Sequence, residues 1–337
     1  MTGTDIVLAV DGGNSKTDLA LLESSGRLLA LVRGGGSSPH HLGVDGCIDV
    51  LRSLLDNALT RANLGPHGRF AAAQILVAGA DLPEERSALR TALEQEQWGD
   101  GLVVDNDMPA LLRAGTDRGF GIAVVCGAGI NCLGVAPDGR EVRFPSLGEI
   151  SGDWGGGADV GLAALAAAAR SADGRGPRTV LERVVPAHFG LSEPSELARA
   201  LHLGRLPRER LRELAPVVLT ASAEDAVAAT IVRRVADEVI AFARAAIRRL
   251  QLTKSDPDVI LGGRLLRSLP PSVVDTIAEE IRKVAPDARV LVSASEPIVG
   301  AALLALEALS ADTTAGARAR AELDAAAFSA ASLVDLG

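Results

Sequence analysis

The sequence predicts an α/β protein built from two copies of one βββαβαβα pattern, the second interrupted by a long helical insertion. Two observations carry this reading. Short apolar blocks of strand length give way to helical spacing in the same order in both halves. Each half also opens with two strands joined by a Gly-rich turn, Asp11-Gly12-Gly13-Asn14-Ser15-Lys16-Thr17 in the first and Gly127-Ala128-Gly129-Ile130-Asn131 in the second.

In the first half, strands are expected over 6–10, 19–22 and 28–32, with Ser25-Gly26 as the second turn. A helix follows Val44 through Ile48, Leu51, Leu54, Leu55 and Leu59 and ends at Gly65-Pro66. Next come a strand over 73–78, a helix over 83–96, a strand over 102–104 and a helix over 108–113. The second half repeats the order, with strands over 122–126, 132–136, 141–144, 259–261 and 290–292 and helices over 273–284 and 297–309. Its insertion, about 156–256, contains a long amphipathic helix with Val227, Ile231, Val235, Val239, Phe242, Ala246 and Leu250 on one face. The expected domains are 1–116, 117–312 with that insertion, and a partly helical or frayed tail over 313–337.

Composition narrows the function. With 337 residues, 47% hydrophobic and 23% charged, the chain can bury a core. Its net charge of −9 and 2% aromatic content argue against a nucleic-acid partner. The longest apolar runs are about half of the roughly 20 residues a bilayer crossing needs, so no membrane partner is expected. Three cysteines, Cys47, Cys126 and Cys132, and no signal-like start suggest a cytoplasmic protein with buried thiols. The histidines lack metal-ligand spacing.

Both Gly-rich turns join strand to strand, which disfavours the Walker and dinucleotide fingerprints, where the glycines lie between a strand and a helix. Such turns present clustered backbone N–H groups to an anion, and nucleotide phosphates are the natural ligand. Asp11 could hold Mg²⁺ and Lys16, one of three lysines, could offset phosphate charge. An acid at the end of a buried strand, Asp105, can be held rigidly enough to serve as a general base; it could instead cap the helix from Met108, a role open also to Asn106 or Asp107.

These motifs resemble the sugar kinase, heat-shock protein and actin superfamily of ATPases, and within it the N-acetylglucosamine kinase and BadF/BadG/BcrA/BcrD ATPase group. Residues 11–18 resemble its first phosphate motif, 104–107 its connecting segment, 126–131 its second phosphate motif, 261–263 its adenosine motif and 297–301 its closing helix. The resemblance implies two ribonuclease-H-like, actin-like ATPase lobes that close on ATP and sugar. It implies a hexosamine kinase acting on the sugar 6-hydroxyl with Asp105 as base, often dimeric. Nucleotide would be held by Gly12, Gly13, Asn14, Ser15, Lys16, Thr17, Gly127, Ala128, Gly129, Gly262 and Gly263, with Mg²⁺ at Asp11.

For the sugar, the resemblance points to Ser38, Asp81, Asn106, Asn131, Asp153 and Trp154. Ser38 stands where the family often has asparagine, and Trp154 where the N-acetylglucosamine kinases have an acid. Asp81 and Asp153 could each be a helix cap instead, before the helices near Pro83 and Ala158. Two other functions fit the broad family: an ATP-driven activator of a 2-hydroxyacyl-CoA dehydratase, which would present cysteines to an iron-sulfur cluster, and a non-catalytic ATP-binding regulator.

Overall fold

The computed structural model describes residues 5–65, 69–99 and 101–334, with side chains through Ala326; Pro66 and His67 lie outside the described residues. The chain forms two units, 1–119 with 293–337, and 120–292.

The first unit begins with β1 (Ile6–Gly12), β2 (Lys16–Glu23), β3 (Leu28–Gly35), α1 (Pro39–Arg61), β4 (Ala72–Val77), α2 (Pro83–Glu94), β5 (Leu102–Asp105) and α3 (Met108–Gly115). The sheet order is β3-β2-β1-β4-β5. The three opening strands are antiparallel, while β4 and β5 run parallel to β1. Strand β1 reads as one apolar run because it is central and covered on both faces. Leu8, Val10, Ile75 and Val77 pack with Leu51, Leu55 and Leu59 of α1, and Val7, Ala9 and Leu76 belong to a second buried cluster on the opposite face. At the carboxyl ends of β1, β4 and β5 and the amino end of β2, Asp18, Asp11, Leu76 and Asp105 stand in one row of the sheet.

The second unit repeats this sheet with β6 (Gly121–Cys126), β7 (Ile130–Val135) and β8 (Glu141–Arg143), followed by the insertion α4 (Gly157–Ala172), α5 (Leu181–His188), α6 (Pro194–His202), α7 (Ala215–Ala221) and α8 (Ala226–Arg249). Then come β9 (Asp258–Gly262), α9 (Gly263–Arg267), α10 (Pro271–Arg282) and β10 (Arg289–Val292), giving the order β10-β9-β6-β7-β8. Helix α8 starts where Asp225 accepts a hydrogen bond from the Ala228 N–H at 2.8 Å. Its Val235, Val239, Ala243 and Ala246 join Ile122, Val124 and Cys132 in the unit's core. A Cβ at Gly134 of β7 would come within 2.8 Å of Leu250, so glycine lets the helix end lie close to the strand.

The chain then returns to the first unit through α11 (Pro297–Ala308) and α12 (Thr313–Val334). This corrects one expectation. Helix 297–309 does not complete the second half: Ile298, Val299, Ala301, Ala302 and Leu306 are buried with Val7, Ala9 and Leu76, and a Cβ at Gly300 would lie 1.8 Å from the Ala110 carbonyl oxygen of α3. An apolar surface all round the helix is what burial between a sheet and α3 requires. The boundary therefore falls at 292/293 instead of 312. Of the two readings of the tail, the described part is helical, with Ala315, Ala319 and Leu323 of α12 buried. Among the described residues, no single helix is long and apolar enough to cross a membrane.

Candidate active site

The first turn closes as a tight hairpin, in which Gly13 N–H donates to the Lys16 carbonyl at 2.8 Å and Ser37 N–H donates to the Gly13 carbonyl at 3.1 Å. A Cβ at Gly12 would lie 2.5 Å from Ser37 Oγ, which itself accepts from Thr17 Oγ1 at 2.8 Å. Asn14 and Ser15 project from the turn and are exposed. Lys16 is not an isolated cation: its Nζ lies 2.6 Å from Glu296 and 3.3 Å from Asp18, whose carboxylate also receives Arg33 at 2.6 and 2.9 Å.

Asp11 is buried at the base of this turn. Burial, then the carboxylates of Asp107 and Asp18, raise its pKa well above the usual range. Among the described residues no hydrogen bond reaches its carboxylate. An oxygen donor buried among carboxylates suits a hard divalent cation, and Asp11 fits the Mg²⁺ role on that ground.

The 105–107 segment separates the two roles that the sequence left open. Asp105 accepts the Asn106 N–H at 2.8 Å and faces Arg86 Nε at 3.7 Å. Asn106 Oδ1 accepts the Met108 N–H at 3.1 Å, so Asn106 caps α3, and its Nδ2 donates to Asp81 at 3.1 Å. Asp107, half-buried, stands at the N-cap position but its side chain makes no capping bond. Burial and the neighbouring carboxylates of Asp81 and Asp105 push its pKa up to about 7. Sequence reasoning passed over Asp107 as a spare cap; the signal available was that three polar residues competed for a single cap.

Nearby, Ser38 is buried at 1% exposure and its Oγ has no hydrogen-bond partner, the one buried side-chain oxygen or nitrogen in that condition among the described residues. It sits against Gly79, where a Cβ would approach it to 2.6 Å. Asp81 does not cap α2. Glu85 does so, accepting the N–H groups of Asp81 and Leu82 at 3.0 and 2.8 Å. His40 Nε2 lies 2.8 Å from Glu85, and His40, Asp81 and Glu85 have ligand atoms within 4.8 Å of one another, a cluster that the histidine spacing in the sequence did not reveal.

In the second unit, the turn at 127–129 is made of backbone. No neighbour would obstruct a Cβ at Gly127 or Gly129. The carbonyls of Gly127 and Ala128 accept the N–H groups of Gly157 and Ala158 at 2.9 and 3.2 Å, which fastens the turn to the N-terminus of α4. Gly156 is required there, since a Cβ would fall 2.2 Å from the Ala128 carbonyl oxygen. Gly263 has φ +85° and its Cβ would lie 2.3 Å from the Cys126 carbonyl oxygen; it follows Gly262 directly, beside the same turn.

Asn131 accepts the Cys132 N–H at 2.7 Å. Asp153 is buried and accepts from Ser151 Oγ; it does not cap α4, where Asp159 accepts the N–H groups of Gly155 and Gly156 at 3.1 and 3.0 Å. Trp154 packs on the core and carries the Arg234 guanidinium 3.9 Å from its ring centroid. All three cysteines are buried, and burial raises their pKa, that of Cys47 to about 12.

The paired five-stranded sheets with their strand-turn-strand openings define an actin-like ATPase fold. Residues 8–305 match the BadF/BadG/BcrA/BcrD ATPase family, and the chain belongs to it. Among curated proteins it is 26% identical over 278 residues to an N-acetylmuramic acid/N-acetylglucosamine kinase of Clostridium acetobutylicum, covering 82% of this chain and 89% of that one. It is 25% identical over 317 residues to an N-acetyl-D-glucosamine kinase of Dictyostelium discoideum, covering 90% and 98%. A solved structure from Chromobacterium violaceum, provisionally named an N-acetylglucosamine kinase, matches with TM-score 0.70 and 26% identity over 89% of this chain and 99% of that one.

Proposed function

We propose that this chain is an ATP-dependent sugar kinase that phosphorylates the 6-hydroxyl of N-acetylglucosamine or a related amino sugar. Its curated relatives carry kinase activities on such sugars in their names. The observation that carries the mechanism is the Asp107 carboxylate, pushed up to about 7 and electrostatically coupled to Asp11. A general base works best with a pKa near the working pH. On this reading the base is Asp107 and not Asp105, which accepts the Asn106 N–H and faces Arg86.

In the proposed reaction the sugar hydroxyl gives its proton to Asp107 as its oxygen forms a bond to the γ-phosphorus. The bond from that phosphorus to the bridging oxygen breaks, and ADP leaves. Lys16 exchanges Glu296 for a phosphate oxygen, while backbone N–H groups of the 12–17 turn share the remaining charge. Mg²⁺ held through Asp11 would screen the phosphates. Gly262 and Gly263 give room for adenosine. Within the first unit, Ser38, whose buried hydroxyl lacks a partner, takes a sugar group together with Asp81 and Asn106. Trp154 contributes its ring edge, because Arg234 covers one face.

Burial of all three thiols disfavours a cluster-bearing activator. The test is coupled ADP release across N-acetylglucosamine, glucosamine, glucose, N-acetylmannosamine and N-acetylmuramic acid. At least one amino sugar should stimulate release; if none does, the kinase reading fails.

A further inference from the structure

Within the first unit, three side chains of metal-binding type converge from separate elements, and the kinase reading uses only Asp81 of them. His40 comes from the N-terminal turn of α1, Asp81 from the loop after β4 and Glu85 from the first turn of α2, and their ligand atoms lie within 4.8 Å of one another. Each is held in place. Gly43, at φ +70°, breaks α1 after one turn, so residues 39–42 form a short separate turn that carries His40. Glu85 Oε2 accepts the Asp81 and Leu82 N–H groups, which leaves Oε1 turned to His40 Nε2 at 2.8 Å. The Asp81 carboxylate accepts from Asn106 Nδ2 at 3.1 Å, and the Asp81 carbonyl from Arg86 Nη1 at 2.8 Å.

One imidazole nitrogen and two carboxylate oxygens are donors that zinc and cobalt take, and the two negative charges balance a divalent cation. The set differs in kind from the carboxylates around Asp11, which suit Mg²⁺. His40 is exposed, so a cation has a path in from solvent. The orphaned hydroxyl of Ser38 points to the same ligand. A metal-bound imidazole keeps its proton on the ring nitrogen away from the metal and donates it to a nearby oxygen, which fixes the ring. With Nε2 facing the carboxylates, that nitrogen is Nδ1. Both Nδ1 and Ser38 Oγ close over Gly79, where a Cβ would lie 3.3 Å from the one and 2.6 Å from the other. Ser38 Oγ is buried and has no hydrogen-bond partner, so it is the acceptor that such a ring requires. A hydroxyl accepts from one group and donates to another, so Ser38 can serve the ring and a sugar together.

We propose that His40, Asp81 and Glu85 bind a divalent cation of the zinc and cobalt class, with Ser38 as the positioning residue behind His40. Loading exchanges the His40–Glu85 hydrogen bond for two metal bonds. The imidazole proton passes from Nε2 to Nδ1, the Nε2 lone pair and Glu85 Oε1 go to the cation, and Oε2 continues to hold α2. The cation thereby ties the first turn of α1 to the loop of Asp81 and to α2. The site goes beyond the kinase reading and does not rest on it.

The test uses the untagged full chain, stripped by chelator and held in excess Mg²⁺ without nucleotide or sugar, and titrates Co²⁺ as the probe. One equivalent should bind with visible absorption from the cobalt centre, be displaced by Zn²⁺ and raise the melting temperature. His40→Gln should weaken binding by about 100-fold or more, and Ser38→Ala by about tenfold with the absorption band retained, the usual worth of an outer partner. His188→Gln, which breaks the pair with Glu213 in the second unit, should leave binding unchanged. No binding in excess Mg²⁺, binding retained in His40→Gln, or loss in His188→Gln overturns the site. Should His40→Gln not fold, Asp81→Asn decides by the same titration: a loss of about 100-fold supports the site and an unchanged affinity overturns it. No sugar phosphorylation is read, so failure of the kinase reading and failure of the site are separate results.

Discussion

The two Gly-rich turns occupy the same place in two similarly ordered sheets, yet their surroundings differ in kind. Around the first stand Asp11, Lys16, Asp18, Glu296 and Asp107, a concentration of charge with a buried carboxylate. The second is fastened by backbone to the N-terminus of α4, beside the glycines at 156 and 263 and the Asp159 carboxylate. On the proposed reading one sheet topology supplies two chemistries: the first turn manages metal, proton and mobile charge, and the second holds an anion by backbone. Substitutions of the acid Asp107 near the first should therefore fall on turnover, and those of Lys16, Glu296 and the second turn on nucleotide affinity.

The largest expected effect separates two neighbouring acids. Asp107→Asn should lower kcat by about 10²–10⁴-fold with ATP affinity retained, the usual worth of a general base, whereas Asp105→Asn should cost less than about tenfold. Single-turnover phosphoryl transfer on both variants checks this, and equal losses would remove the distinction.

At the backbone turn, Gly263→Ala forces a side chain into φ +85° and against the Cys126 carbonyl. We expect about 1–3 kcal/mol of lost stability, read by chemical denaturation, together with a raised KM for ATP and a nearly unchanged kcat for bound substrate. At the charged turn, Lys16→Met should raise the KM for ATP by about tenfold, the order of one charge-assisted hydrogen bond. Glu296→Gln should lower that KM, since Lys16 would no longer be held by a competing carboxylate. Isothermal titration with a non-hydrolysable ATP analogue measures both.

The smallest effect is a pH dependence. Because Asp107 is pushed up to about 7, the folded chain holds its proton over a range where the unfolded chain has released it. Its contribution to stability is therefore greatest at low pH and declines as pH rises from about 4 to about 7. Asp107→Asn removes that decline, so its melting temperature should match the wild type near pH 4 and exceed it at pH 8. In the wild type kcat should rise with pH with a midpoint near 7, as the base ionises.

Much of this was legible in the sequence because it depends on local pattern. Apolar blocks bounded by glycine gave the strands, and both turns were recognisable from their glycines. Three features were not legible, each for a physical reason. Helix α11 is apolar all round, so its periodicity could not say which sheet it covers. Asp105, Asn106 and Asp107 are chemically similar, and only the hydrogen bond from the Met108 N–H assigns the cap to Asn106. The ion pair of Lys16 with Glu296 spans 280 positions, a distance over which sequence carries no pairing signal.

The most direct measurement is ³¹P NMR of the wild-type protein with Mg²⁺, ATP and N-acetylglucosamine. A phosphomonoester signal split into a triplet by the two protons on C6, growing in step with ADP, is the predicted result. Growth of inorganic phosphate alone, at a rate indifferent to the sugar, would contradict it.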